Sequence, residues 1–198
     1  MPKKNAFNAN EYQIKFESPT GEAKWACLKT PKVWTEGEKG NYQISLMVPK
    51  EEAQDLIDQC VAMRDRIAQI IGEGDDVRMS PYDPWKEDGD QIEFRFKKPH
   101  FPANDKFPAS RPVPTYLEDG SKVDWDNTEW AVGNGSTVKI GGFIRPYYVG
   151  TMGLGITLRL GAVKVYKLEK YTGATEDFGF GSGTSGNENE EEFAESDF

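Results

Sequence analysis

A chain of 198 residues, 29% charged and 12% aromatic, has the length for one domain with an appendage and is rich in rings. It holds no apolar run near the ~20 residues that cross a bilayer, and its basic opening, Met1-Pro2-Lys3-Lys4-Asn5, lacks the apolar stretch of a signal peptide, so no membrane and a cytoplasmic location are expected. The net charge of −9 argues against nucleic acid only until it is mapped: residues 1–170 hold all 24 Lys and Arg and 25 of the 33 Asp and Glu, and 171–198 hold the other eight acids and no base.

Glu11 to Phe16 alternates, with Tyr12, Ile14 and Phe16 on one face, and reads as a strand. Lys24 to Leu28 reads as a second or as its continuation. In Asn41 to Val48, Tyr42, Ile44, Leu46 and Val48 share a face, and Pro49 ends the strand and opens a helix. Over residues 50–71, Ala53, Leu56, Ile57, Cys60, Met63, Ile67, Ile70 and Ile71 recur at helical spacing, with Gly72 as the stop. Residues 73–90 read as an Asp/Gly/Pro-rich loop, and Gln91 to Lys97 as a strand with Ile92, Phe94 and Phe96 inward.

Residues 98–134 are irregular, with five prolines, a short strand near Val113 to Leu117 and a turn at Asp119-Gly120. Ser136 to Val149 and Gly153 to Glu169 form a β-hairpin across Gly150 to Gly153. Five to seven strands with one helix most simply close into a small antiparallel barrel, though pattern alone does not separate an oligonucleotide-binding barrel from other small barrels. From Gly173 onward, Gly, Ser, Asn and Glu cannot bury a core, and disorder is expected. The expected domains are therefore 1–170 and a flexible tail, 171–198.

Three segments interleave cations and rings, the two parts a single-strand surface needs: charge for phosphates and rings for bases. In 136–149, Lys139, Phe143, Arg145 and Tyr147 oppose an apolar face of Val138, Ile140 and Ile144. Lys97, Lys98, Phe101 and Lys106 continue the pattern along 97–107, and Lys32 and Trp34 give a third patch. Each residue taken alone is as well explained by a solvated face or a loop anchor; the cluster favours nucleic acid. Trp25, Trp85, Trp125 and Trp130 are expected to be core or loop anchors.

Two cysteines without ligand spacing, Cys27 and Cys60, and one histidine, His100, leave little for a metal or a histidine triad, and no cofactor is expected. Asp75, Asp76, Asp83, Asp88 and Asp90 could be read as a two-metal nuclease site, but they fall in one loop without a rigid supporting shell. The tail places Phe193 and the terminal Phe198 among Glu190, Glu191, Glu192 and Asp197. A tail that served solubility alone would gain nothing from a terminal ring. A negative polymer bearing rings imitates single-stranded DNA, so it suits the same groove or a partner's basic pocket.

The segments Asp88 to Lys97, Gly133 to Lys139, Ile144-Arg145-Pro146-Tyr147 and Gly153 to Leu160, with a tail closing in Asp197-Phe198, resemble the single-stranded DNA-binding proteins of T7-like phages. The resemblance implies a mainly β fold: a five-stranded oligonucleotide-binding (OB) barrel with one inserted α-helix, long loops and an acidic tail. It implies a non-enzymatic, sequence-independent binder that coats and anneals single strands in phage replication, recombination and repair, in the cytoplasm of the infected host. It places Lys139, Arg145 and Tyr147 in the groove, and has Phe198 and the tail compete with DNA and contact the phage polymerase and helicase-primase. Monomer and homodimer both stay open. The rival readings are a metal-dependent nuclease and a protein-only phage adaptor or virion component.

Overall fold

The computed structural model describes residues 8–33, 39–72 and 77–171. In chain order these form β1 (Ile14–Glu17), β2 (Gly21–Lys32), β3 (Gly40–Pro49), α1 (Lys50–Gly72), β4 (Trp85–Asp88), β5 (Gln91–His100), β6 (Thr115–Tyr116), a 3-10 turn (Trp125–Asn127), β7 (Ala131–Val132), β8 (Thr137–Val149), β9 (Gly153–Lys167) and β10 (Lys170–Tyr171).

Five strands close a ring. β8 pairs β2, β2 pairs β3 and β3 pairs β5, all antiparallel; β5 meets β9 in parallel, and β9 returns antiparallel to β8. That order, with one parallel closure, is the five-stranded OB barrel, and closure removes the edges an open sheet would expose. β1 extends β8, β4 extends β5, β6 extends β9, and β7 pairs β10 separately.

The alternating residues fill the ring. Tyr42, Ile44, Leu46 and Val48 from β3 meet Ile92, Phe94 and Phe96 from β5, Ile140 and Ile144 from β8, and Leu158 and Leu160 from β9, all buried. Phe94 and Phe96 are wholly inaccessible, and rings buried this fully are worth about 3–5 kcal/mol against truncation to alanine. Phe16 stacks on Phe96 at 5.7 Å. The helix, inserted between β3 and β5, turns Ala53, Leu56, Cys60, Met63 and Ile67 onto β3, β8 and β9, and burial pushes the Cys60 thiol up to about 12. The hairpin β8–β9 carries a bulge: Gly141 faces Ala162 but Gly142 faces Leu160, leaving Gly161 over. At Gly142 a Cβ would lie 1.9 Å from the Arg159 carbonyl oxygen, so the two strands meet there only because the residue is glycine.

Three sequence expectations change. Trp85–Asp88, expected in a loop, is a strand, turned back on β5 through Gly89 at φ 60°. Ile14, expected to face inward with Phe16, is 37% exposed, because β1 is an edge strand. Trp25, expected as a core or loop anchor, is 65% exposed, whereas Trp125 is the core residue expected; its indole donates to the Val113 carbonyl at 2.8 Å and meets Trp130 edge-on. Apart from Tyr171, the expected acidic tail lies outside the described residues, as does Trp34.

Candidate nucleic-acid interface

The outward faces of the strands carry one continuous cross-strand rung, cationic at Lys97, Arg159 and Lys15. Cys27 of β2 faces Gln43 of β3, Gln43 faces Lys97 of β5, Lys97 faces Arg159 of β9, Arg159 faces Phe143 of β8, and Phe143 faces Lys15 of β1. One position along, Ser45 faces Arg95, and Arg145 faces Thr157. Period-2 alternation explains this: each of these residues adjoins an inward-facing position of its strand, as Lys97 adjoins Phe96 and Arg159 lies between Leu158 and Leu160.

Two grooves meet on that rung. The larger, about 820 Å³, is lined by Trp25, Lys32, Gln43, Ser45, Lys86, Glu93, Arg95, Lys97 and Tyr171, among others. The second, about 360 Å³, is lined by Asn41, Tyr82, Arg95, Lys97, Arg145, Tyr147 and Arg159, among others. Arg95 and Lys97 border both, so the grooves form one channel. Six cations line it against two carboxylates, Glu93 and Asp83, and Asp83 is paired to Arg64 of the helix at 3.2 Å.

Burial, and then the charge of Arg145, lower the Arg159 pKa from its ordinary value, although guanidinium stays protonated. Two neighbouring guanidiniums in a half-buried place repel, and an anion laid between them would return that energy. Glu93 does the opposite work in the larger groove. Burial works to raise its pKa, but the Ser45 hydroxyl, Lys86 and Arg95 outweigh burial and hold the carboxyl below its usual range. Its oxygens accept from Ser45 at 2.8 Å, from Lys86 at 3.0 Å and from Arg95 at 3.4 Å.

Exposed rings stand at both ends. Trp25 is 65% exposed and Tyr171 58%; Tyr82 is 68% exposed. Trp25 owes its place to a bulge: Lys24 faces Ser45 but Cys27 faces Gln43, so β2 has one residue too many, and a side chain two positions after buried Ala23 is thrown outward. It holds φ 54°, a region costly for any residue but glycine, and its amide donates to the Asn134 side chain at 2.8 Å. Strain of this kind, about 1–3 kcal/mol, is characteristic of functional positions. Tyr147 lies over Gly155, where a Cβ would meet its ring at 2.3 Å, and its hydroxyl shares a hydrogen bond with Ser80 at 2.8 Å.

Of the residues proposed from sequence, the structure gathers Lys32, Lys97, Arg145 and Tyr147 into the channel, with Phe143 beside Arg159 at its margin. Lys139 lines neither groove and is ion-paired to Glu17 at 2.7 Å. Lys98 follows Lys97 and so points the other way; its ammonium donates to the Arg111 carbonyl at 2.8 Å and sits over the Tyr42 ring, pinning the loop. Phe101 and Lys106 belong to that loop and line neither groove; Phe101 is 48% exposed beneath the Lys39 ammonium. Arg95, Arg159, Lys86, Trp25, Tyr82 and Tyr171 are the channel residues absent from the sequence-based set. Among the described residues no group of three or more His, Cys, Asp or Glu is placed to hold a metal.

No protein-family model and no curated protein matches this sequence. Solved structures do. The single-stranded DNA-binding protein gp2.5 of bacteriophage T7 superposes with a TM-score of 0.66 over 88% of this chain and 97% of its own, at 20% identity. The chain shares the gp2.5 fold. The single-stranded DNA-binding protein of bacteriophage Enc34, in a structure with single-stranded DNA, superposes at 0.54 over 80% of this chain and 88% of its own, at 16% identity. A C-terminal truncation of the Enc34 protein gives 0.53 at 16% identity. The shared fold thus takes in most of the chain.

Proposed function

We propose that this chain is a non-enzymatic binder of single-stranded DNA that accepts any base sequence. The observation that carries the reading is the channel itself: Lys32, Lys86, Arg95, Lys97, Arg145 and Arg159 along its length, with Trp25, Tyr171, Tyr82 and Tyr147 at its walls. Such cations track phosphates, and a ring stacks on any base for about 1–3 kcal/mol. The gp2.5 and Enc34 proteins, which share the fold, are single-stranded DNA-binding proteins, and this supports the same reading. The test is titration of the full chain with oligo-dT while following tryptophan fluorescence, which Trp25 should report. Six phosphate contacts predict a slope of log K on log salt of roughly −4, at about 0.7 per contact. Unquenched fluorescence and no binding at low salt would leave the adaptor reading instead. Cleavage of the oligonucleotide with Mg²⁺ or Mn²⁺ would favour the nuclease.

The finer assignment is a phage protein of DNA replication, recombination and repair, working in the cytoplasm of the infected host and annealing complementary strands. No helix among the described residues is long and apolar enough to cross a membrane. Its tail, through Phe193, Phe198 and the carboxylates at Glu190, Glu191, Glu192 and Asp197, would compete with DNA and engage the phage polymerase and helicase-primase. One placement supports the competition: Tyr171, from which the tail departs, lines the larger groove. At about 3.3 Å per residue, the sequence beyond it has the contour length to reach either groove. Deleting residues 188–198 is expected to raise oligo-dT affinity several-fold at low salt, with the gain fading as salt rises; equal affinities in a low-salt titration would remove the competition.

A further inference from the structure

Resting on the reading of the channel as a single-strand site, we propose that the bound strand continues beyond it, over the β8–β9 bulge, onto a second nucleic-acid surface formed by Lys139, Lys164, Tyr116 and Lys122. Those four residues make a rung of their own. Lys139 of β8 faces Lys164 of β9, Lys164 faces Tyr116 of β6, and Tyr116 bridges to Lys122. Tyr116 and Tyr166 are each 37% exposed, and the Lys164 ammonium lies 5.2 Å from the Tyr166 ring centre. Two lysines directly opposed on one sheet face destabilise each other. Glu17 answers Lys139, but neither Lys164 nor Lys122 has an ion pair among the described residues. Cation and ring therefore recur here in the combination seen in the channel.

A connecting path exists. Phe143, cross-strand from Arg159 of the second groove, borders a shallow hollow of about 400 Å³ with Lys15, Glu17, Gly141, Gly142 and Gly161, among others, and Glu17 there is neutralised by Lys139. Lys139 stands two residues from Gly141 on the same strand face. Packing accounts for Gly142 and Gly161, whose Cβ atoms would strike backbone at 1.9 and 2.9 Å. It does not account for Gly141, where a Cβ would meet nothing nearer than the Phe16 carbonyl oxygen at 4.0 Å, and where φ is not positive. Glycine in mid-strand costs about 0.5–1 kcal/mol against alanine; it marks bulges, such as the one Gly141 borders, and places where another chain comes close. The open space over Gly141 leaves room for a strand backbone crossing the hollow.

The experiment compares dT6, short enough for the channel alone, with dT30, on the full chain and on two variants: Gly141→Leu, which fills the hollow without changing charge, and Lys122→Ala/Lys164→Ala. Both variants should bind dT6 within about twofold of the parent. They should bind dT30 about tenfold more weakly, and the double variant should lose roughly 1.4 from the salt slope, two contacts at 0.7 each. Unchanged dT30 affinity and slope in the lysine variant overturn the second surface while leaving the channel standing. So does an equal loss on both oligonucleotides. A parent chain that binds neither oligonucleotide overturns the single-strand reading and the extension with it. The two lysines lie on the surface, so their variant decides between these outcomes even where Gly141→Leu folds poorly.

Discussion

Replacing Arg95, Lys97 and Arg159 together by alanine is expected to weaken oligo-dT binding at 0.1 M salt by about 100-fold or more. A hydrogen bond to a charged group is worth roughly 1.5–3 kcal/mol, and 1.4 kcal/mol is a factor of ten, so even half the usual value at three sites gives two decades. These three are chosen because Arg95 and Lys97 border both grooves and Arg159 faces Lys97 across the parallel closure of the barrel. Losing them cuts the path in its middle. The salt slope should shrink by roughly 2, since each phosphate contact contributes about 0.7. Stability should barely change. All three project from the outer face, the buried side being held by Phe94, Phe96 and Leu158, and removing Arg159 relieves its repulsion with Arg145. Isothermal or fluorescence titration at several salt concentrations measures both quantities. A slope equal to the parent's would mean that the phosphates lie elsewhere.

Much of this channel was written in the alternation of the strands. Lys97, Arg145 and Tyr147 could be placed outward because they alternate with Phe96, Ile144 and Pro146, and the helix could be placed because its stripe runs from Ala53 to Ile67 without interruption. Closure of the ring was not legible. It depends on Phe96 and Lys97 lying beside Leu158 and Arg159, a parallel contact between segments some 60 residues apart that no local pattern encodes. Arg159 joins the site only through that contact. Trp25 was hidden for a different reason. Strict alternation from Ala23 sends it into the core, and one surplus residue in β2 reverses it. Lys98 shows the complementary limit: a run of two lysines reads as one patch, while the pleat sends its members to opposite faces. The Asp-rich loop read as acidic and solvated also supplies Tyr82 to the channel wall, and Trp85 to Asp88 left it to become a strand.

Glu93→Gln is expected to tighten oligo-dT binding about tenfold near neutral pH. A carboxylate amid phosphate-binding cations is the least obvious residue of the channel. It is nearly inaccessible, and Ser45 from β3, Lys86 from β4 and Arg95 from its own strand all turn toward it. Those donors are arranged around an anion, and the anion present is the protein's own. DNA must draw Lys86 and Arg95 away from Glu93 and then sit beside a buried negative charge; glutamine keeps the Ser45 hydrogen bond and removes the charge. Little stability is lost, because the desolvation cost of the buried carboxylate goes with its charge, and the cations left behind, Lys86 and Arg95, are about half exposed (53% and 51%) and return to solvent. The sign of the pH effect follows. Phosphate taking the two cations raises the Glu93 pKa, so binding draws in a proton, and parental affinity should climb as pH falls through the carboxylate range. The glutamine variant, already uncharged, should lack that part of the climb. If Glu93 served only to aim Arg95, the same substitution would weaken binding, and parental affinity would fall rather than climb as the carboxylate takes a proton, so one titration series at two pH values separates a tethered phosphate rival from a strut.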